Sequence, residues 1–264
     1  MKYADLHSHI IPYMDDGARD LDTAVQLVSA CVSQNIDTIV LTPHFYPSGG
    51  KSVSDFIKKR DENFALLKNE LIKRNIPMPE FRLGAEVNFD CDLSEVPDIE
   101  RLTIEGTDYL LLEMPEDVWQ MWMFDYIYNL IAQKNVTPII AHAERYIQTK
   151  EIMSKLKRLD VYLQINASSL LNKDFGNNAY KLLKNNDVHF IATDTHSLKR
   201  RPPEMEKAME FIGRKFSLEY AEQLADNSYK VLENKACYKR ESEYYTYKKQ
   251  RRGFFGRFFI LHIH

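Results

Sequence analysis

Seven short apolar runs alternate with longer amphipathic stretches along this chain, and that alternation limits the possible folds more than any other feature. YADLH, TIVLTPH, FRLGAEV, DYLLLEM, VTPIIAH, VYLQIN and VHFIATD read as strands. Helical periodicity fills the gaps at residues 20–34, 52–74, 117–134, 150–159, 174–186 and again after 203. Strands separated by helices predict a parallel sheet with helical crossovers. Seven such units suit either a barrel related to the eight-unit one or an open doubly wound sheet. With 264 residues, 44% of them hydrophobic, the chain can bury a sizeable core. Both architectures place their chemistry at the carboxyl ends of the strands.

Those ends carry a row of ligand-type residues. The first run ends in His7 and His9, the second in His44, the third in Glu86, the fourth in Glu113 and the fifth in His142. The seventh ends in Asp194 and His196, and the sixth in Asn166, which is not a ligand type. Asp16 follows in the first loop, in YMDDG. In a strand, residues i and i+2 share a face, so His7 and His9 can grip one ion while Ser8 turns away, and Asp194 and His196 repeat the arrangement. Imidazole nitrogens and carboxylates without thiolate suit Mn, Fe or Zn. Nine candidates exceed one coordination sphere and predict two or three ions, with a carboxylate such as Glu86 bridging a pair. His189 lies before the end of its strand and reads as structural; His262 and His264 belong to the tail.

Basic residues accompany the row. Arg145 follows His142 in HAERY, and Lys199, Arg200 and Arg201 follow His196. Guanidinium forks match phosphate oxygens, so metals with arginines at one mouth predict a phosphate ester as substrate. A hydroxide generated at the metals would attack phosphorus in line. Arg145 would clamp the phosphoryl group; Arg200 reads as a solvated loop residue. A thiol phosphatase needs an arginine at a fixed spacing after its cysteine, where Cys31 has Asp37, Cys91 has Pro97 and Cys237 has Glu243. That mechanism is excluded, with no phosphocysteine intermediate. Three scattered cysteines also make no disulfide framework. A net charge of −3 gives no push toward nucleic acid. With no apolar leader and no apolar run near the ~20 residues of a membrane helix, the expected location is cytoplasmic.

The segments DLHSHI, DDG, TPH, LGAEV, LLEMP, AHAERY and TDTH…RRPP closely resemble the polymerase-and-histidinol-phosphatase (PHP) superfamily. Within it they resemble the bacterial metal-dependent tyrosine-protein phosphatases of capsular and exopolysaccharide biosynthesis clusters. The resemblance implies a distorted seven-stranded, TIM-like β/α barrel of the PHP type, spanning residues 1–235. It implies a centre of three ions, Mn by preference, with Fe or Zn as alternatives. The family's ligands fall on His7, His9, Asp16, His44, Glu86, Glu113, His142, Asp194 and His196. Its phosphate-binding arginines fall on Arg145 and Arg201, with Asp16 counted among the catalytic groups as well. The implied substrate is a phosphotyrosine protein, a membrane-attached tyrosine kinase controlling capsule or exopolysaccharide synthesis.

Three other readings compete. A phosphatase for a small metabolite such as histidinol phosphate would share the ligands; LLEMP favours the protein-tyrosine reading. An amidohydrolase or metal-dependent DNase would also begin with His-x-His, but the Asp-Thr-His at 194–196 and Glu113 count against both. A metal-stabilised interaction module would have a closed coordination sphere and no use for arginines at its mouth. Residues 236–264 form a separate basic, aromatic tail. Its stretch KRESEYYTYKKQRRGFFGRFF has seven basic and two acidic residues, a composition that can contact an anionic membrane surface from the cytoplasmic side. Tyr244, Tyr245 and Tyr247 within it could themselves be phosphorylated.

Overall fold

The structure is a computed structural model and describes residues 1–116, 119–146, 149–171 and 173–238. All seven apolar runs form parallel strands, but two of them break in the middle, so the expected seven strands are nine segments. In order these are β1 (Tyr3–Asp5), α1 (Leu21–Ser33), β2 (Ile36–Leu41), β3 (His44–Phe45), α2 (Val53–Lys73), β4 (Glu80–Leu83) and β5 (Glu86–Asn88). There follow β6 (Tyr109–Glu113), α3 (Met121–Lys134), β7 (Thr137–Ile140), α4 (Lys150–Leu156) and β8 (Tyr162–Asn166). The last elements are α5 (Lys173–Lys184), β9 (Phe190–Ala192), α6 (Met205–Lys215) and α7 (Leu218–Leu232). The breaks have a local cause. Pro43 has no N–H to give to a ladder. Across from it the Gly84 N–H turns to the Leu41 carbonyl at 3.0 Å while the Gly84 carbonyl accepts from the Arg60 guanidinium at 3.0 Å.

The strands form one sheet in the order β1-β2-β4 and a second in the order β3-β5-β6-β7-β8-β9, with every pairing parallel. The parallel α/β expectation holds, but no closed sheet forms among the described residues. The two sheets meet just beyond β1 and β9. Ser8 bridges Thr195, the His9 N–H donates to the Thr195 carbonyl at 2.9 Å, and the Asp194 N–H donates to the His7 carbonyl at 2.9 Å.

Period-two alternation divides the buried side chains into two clusters. Leu110 and Leu112 of β6 and Leu163 and Ile165 of β8 pack in the large cluster shared with the helices. Their alternates Tyr109, Leu111 and Tyr162 join Val40, Ile139 and Phe190 in a smaller cluster on the opposite face. Followed toward the carboxyl ends, that opposite face turns polar. Tyr109 and Leu111 lead to Glu113, and Tyr162 leads to Gln164 and Asn166. Several helices are stopped by asparagine rather than glycine. Asn35, Asn75, Asn135, Asn186 and Asn234 all take positive φ, the left-handed conformation that asparagine tolerates. Past α7 the chain still packs: the Cys237 side chain is buried, and Asn227 exchanges hydrogen bonds with the Tyr238 backbone at 2.8 and 2.9 Å.

Asp5 reinforces the junction between first and last strands. Its buried carboxylate accepts from the Thr193 N–H at 2.9 Å and from the Thr193 hydroxyl. Burial pushes this carboxyl up from 3.8 to about 6 in spite of those bonds. A raised folded-state value makes the contribution full below the unfolded value and lost as pH rises through about 6. We therefore expect Asp5→Asn to match the parent near pH 4 and to gain relative stability above it, levelling past pH 6 at up to about 3 kcal/mol. Urea unfolding of the metal-free proteins across this range measures it; a pH-independent difference would show that Asp5 is not the titrating group.

Candidate metal centre

All nine sequence-derived ligand candidates come together at the carboxyl ends of the strands. His7 and His9 follow β1, His44 opens β3, Glu86 opens β5 and Glu113 closes β6. His142 follows β7, and Asp194 and His196 follow β9. His142 and Asp194 adopt φ of +31° and +52°, a region costing non-glycine residues on the order of 1–3 kcal/mol. For His142 the turn has a purpose. Ile139 and Ala141 lie on the small-cluster face, so alternation would send His142 toward the helices; the left-handed turn returns it to the ligand side.

The centre is built around Glu86. Its Oε2 lies 3.2 Å from His7 Nε2, 3.1 Å from His9 Nε2 and 3.1 Å from His44 Nδ1. Its Oε1 lies 2.9 Å from His142 Nε2. Three overlapping sets have donor atoms within 4.8 Å of one another: His9, Asp16, His44 and His196; His7, His9 and Asp194; and His44, Glu86 and Glu113. His142 adjoins the third, its Nε2 3.6 Å from Glu113 Oε1. Asp16, largely exposed, reaches in from the first loop, with Oδ1 3.2 Å from His196 Nε2.

Several imidazoles are oriented by residues that the ligand pattern alone did not reveal. His9 Nδ1 donates to Asp15 Oδ2 at 2.8 Å, and the same oxygen accepts the His44 N–H at 3.0 Å. His7 Nδ1 donates to Gln164 Oε1 at 3.2 Å, and His196 Nδ1 to the Asp194 carbonyl at 2.8 Å. His142 Nδ1 meets the Tyr146 hydroxyl at 2.6 Å. These acceptors fix the tautomers of His7, His9 and His196 and leave Nε2 as the bare lone pair facing the centre. Strand β8, which offers no ligand, supplies the connections instead. Gln164 also accepts the His142 N–H at 2.9 Å and donates to Asn166, and Asn166 donates to Asp194 Oδ2 at 2.8 Å. The signal in the sequence was polar amides at alternate positions of an apolar strand. Gly17 has its own constraint: a Cβ there would lie 2.1 Å from the His9 carbonyl oxygen, so only glycine lets the Asp15–Asp16 loop fold over His9.

Both arginines converge on one oxygen. Arg145 Nη2 lies 3.1 Å and Arg201 Nη1 3.4 Å from Asp194 Oδ2, and Arg201 Nη2 lies 2.9 Å from Asp16 Oδ2. Lys199 and Arg200 are exposed. His189 lies elsewhere, its Nδ1 accepting the Leu163 N–H at 3.0 Å and its ring edge-on to Tyr162. Burial pushes the Cys31 and Cys91 thiols upward, and no cysteine joins a candidate metal set among the described residues. His262, His264 and the rest of the tail from residue 239 lie outside the described residues.

The donor set fits divalent metal ions. His44 Nδ1, Glu86 Oε2 and His196 Nε2 are buried, and although polar atoms stand 3.1 to 3.2 Å from each, none of these contacts has hydrogen-bond geometry. His7 Nε2 and His9 Nε2 are 3.0 Å apart. Two lone pairs so close repel unless a cation lies between them, and about 3.0 Å is the span of two nitrogens at right angles on one ion with bonds of about 2.1 Å. Burial opposes ionisation of Glu86 and Asp194, yet the surrounding imidazoles hold both carboxyls low. Burial and the neighbouring His9 hold His196 down at about 3, so it is a neutral donor. Glu86, Asp194, Glu113, Asp16 and Asp15 together outweigh the two guanidiniums; against burial, these acids hold the His7 and His9 imidazoles above their usual value in the metal-free chain, and bound cations would take the place of those protons. A histidine nitrogen has one lone pair, so His9 serves one ion only; Glu86, with two oxygens, is the group able to bridge.

Known proteins match both the chain and its geometry. A sequence model of the family described as "Capsular polysaccharide synthesis, CpsB/CapC" matches residues 3–233. The tyrosine-protein phosphatase CpsB of Streptococcus agalactiae is 30% identical over 243 residues, covering 87% of this chain and 98% of that protein. The tyrosine-protein phosphatase YwqE of Bacillus subtilis is 29% identical over 267 residues, covering 96% and 99%. Among solved structures, one described as YwqE from Bacillus subtilis and CpsB from Streptococcus pneumoniae, "unique metal-dependent tyrosine phosphatases", superposes with a TM-score of 0.79. It is 28% identical and covers 90% of this chain and 97% of that one.

The role of Asp15 can be measured directly. It accepts from His9, Gly17 and His44; although burial opposes its ionisation, these bonds hold its carboxyl at about 2. Asp15→Asn should keep the fold and weaken manganese binding by about 10- to 100-fold in calorimetric titration of the metal-free protein. Parental affinity in this variant would show that His9 needs no such partner.

Proposed function

The chain belongs to the CpsB/CapC family of capsular polysaccharide synthesis proteins, and from that premise we infer that it is a metal-dependent phosphatase acting on phosphotyrosine in proteins. One observation carries the chemistry: five imidazoles and three further carboxylates converge around Glu86 beside two guanidiniums, with no thiol among them. His7, His9, Asp16, His44, Glu86, Glu113, His142, Asp194 and His196 would hold the ions. Once bound, these would supply Lewis acidity toward phosphoryl oxygens and a lowered pKa for water. The nitrogen and oxygen donors support manganese, with iron or zinc as the alternatives, and three overlapping sets support three ions. Arg145 and Arg201 grip the phosphoryl oxygens, and Asp194 Oδ2 keeps both forks aimed at one point. Asp16, anchored by Arg201, is placed between the ion-binding and phosphate-binding groups. Asp15 and Gln164 hold the imidazoles still, so little rearrangement remains for the reacting state.

The finer parts of the reading have their own supports. The family's description supports a role in capsular polysaccharide synthesis; extending that role to exopolysaccharide, and taking a membrane-attached tyrosine kinase as the phosphoprotein, rests on the sequence resemblance. The junction at Ser8 and Thr195, together with the small apolar cluster, supports one distorted barrel in which β1 and β9 are neighbours. The extent of the family match supports a catalytic unit of residues 1–235 followed by a tail of 236–264, whose first residues, Cys237 and Tyr238, pack back on that unit. No helix among the described residues is long and apolar enough to cross a membrane. The tail's basic and aromatic composition supports a cytoplasmic protein touching an anionic surface.

The deciding experiment compares a phosphotyrosine peptide, a phosphoserine peptide and histidinol phosphate, each with manganese and after chelation. The phosphotyrosine peptide should be the best substrate and chelation should abolish turnover. Replacing Cys31, Cys91 and Cys237 together by serine should leave turnover largely intact. A preference for histidinol phosphate would transfer the site to a metabolite; a well-folded, metal-loaded triple-serine protein without activity would restore a thiol mechanism.

A second expectation concerns the clamp. Arg145→Lys keeps the charge and loses the fork. Turnover should fall by on the order of a hundredfold or more, with manganese content unchanged by elemental analysis. Near-parental kinetics would make Arg201 the principal clamp.

A further inference from the structure

A cleft of about 730 Å³ leads outward from the metal centre between the loop after β1 and the start of α2. Its inner end is formed by Asp16, His44 and Glu113, all candidate ligands, so cleft and centre are continuous. A phosphoryl group needs only the space between the ions and the arginines. A cleft of this size, within the range that encloses ligands of several hundred daltons, has room for what the phosphate is attached to.

Its walls are apolar and its outer lip is basic. Met14, Tyr46 and Phe56 line the sides. The Tyr46 ring is about half exposed and lies 5.5 Å from the His44 ring, at an interplanar angle of 31°. Lys51 and Lys59 stand at the lip, exposed, and neither forms an ion pair among the described residues. The acids lining the same cleft are otherwise engaged. Asp16 reaches Arg201 and His196, Glu113 faces His44 and His142, and Asp15 holds His9. Asp55 exchanges hydrogen bonds with Ser52, which caps α2. Asp55 keeps its own charge, so two lysines against one carboxylate are what remains to meet a ligand, a net positive lip.

We propose that this cleft takes the polypeptide around the phosphotyrosine, with the tyrosyl ring beside the exposed ring of Tyr46 and acidic residues next to it facing Lys51 and Lys59. The proposal rests on the phosphotyrosine reading and adds the sequence class of the substrate. Lysines at an exposed lip act as point charges in water, so each should contribute roughly a two- to fivefold preference, weakened by salt.

The test uses the manganese-loaded full chain and phosphotyrosine peptides identical except for Glu, Gln or Lys on both sides of the phosphotyrosine. The expected order of kcat/KM is Glu above Gln above Lys, narrowing as salt is raised. Lys51→Glu combined with Lys59→Glu should reverse that order. The ratio between peptides, taken within one protein, cancels any overall change in turnover. The affinities of the same peptides carrying a non-hydrolysable phosphonate should follow the same order in parent and variant, and Lys51→Gln with Lys59→Gln should level it. Equal kcat/KM for the three peptides in the parent, or an acidic preference that survives the reversal, would overturn the cleft assignment while leaving the phosphotyrosine reading in place. Failure of the parent to hydrolyse any of the peptides would overturn both.

Discussion

A single buried carboxylate oxygen, Glu86 Oε2, has three imidazole nitrogens within 3.2 Å, and the rest of the structure is arranged to sustain that crowding. Without a cation, such a cluster is held only by protons shared among histidines; with cations, each nitrogen and oxygen gains a strong partner. Ion binding is therefore coupled to the folding of this face. The elements involved come from both sheets and nearly the whole length of the chain.

That coupling explains where the backbone departs from regular geometry. His142 and Asp194 sit in left-handed conformations, Gly17 lies against the His9 carbonyl, and the breaks at Pro43 and Gly84 fall one and two residues before His44 and Glu86. Each irregularity redirects a ligand or makes room for the loop beside one. Below this level the strands are regular and apolar, and the small cluster of Val40, Leu111, Ile139 and Phe190 forms a dry floor. The strain sits on a rigid base, which keeps the donors aimed before any ion arrives.

The positioning groups divide the work by chemistry. Asp15 carries a full charge and favours a proton on His9 Nδ1; Gln164 and Asn166, neutral amides, pass hydrogen bonds between His7, His142 and Asp194 without adding charge to a centre already rich in acids. At the rim, Asp194 Oδ2 gathers both guanidiniums, linking the candidate metal ligands to the two arginines proposed to hold phosphate. An apolar cleft with a lysine lip then continues from the same centre toward solvent.

Much of this was legible in the sequence. Strand–helix alternation is set by local periodicity, so the parallel α/β class and the position of every candidate ligand but Asp16 near a strand end followed from residue order. The absence of an arginine six positions after each cysteine likewise pointed away from a thiol mechanism without coordinates. What the order of residues could not decide is what depends on contacts across the fold. Asp15 and Asp16 are neighbours of the same type, and only packing buries one against His9 and sends the other outward to Arg201. Gln164 looks like an ordinary strand residue until His7, more than 150 positions away, meets it. The breaks at Pro43 and Gly84, and the pairing of Ser8 with Thr195, arise from hydrogen bonds between strands rather than from propensities within them. Residue types and spacing determined which groups reach the centre; long-range packing decided how each one is turned, held and charged.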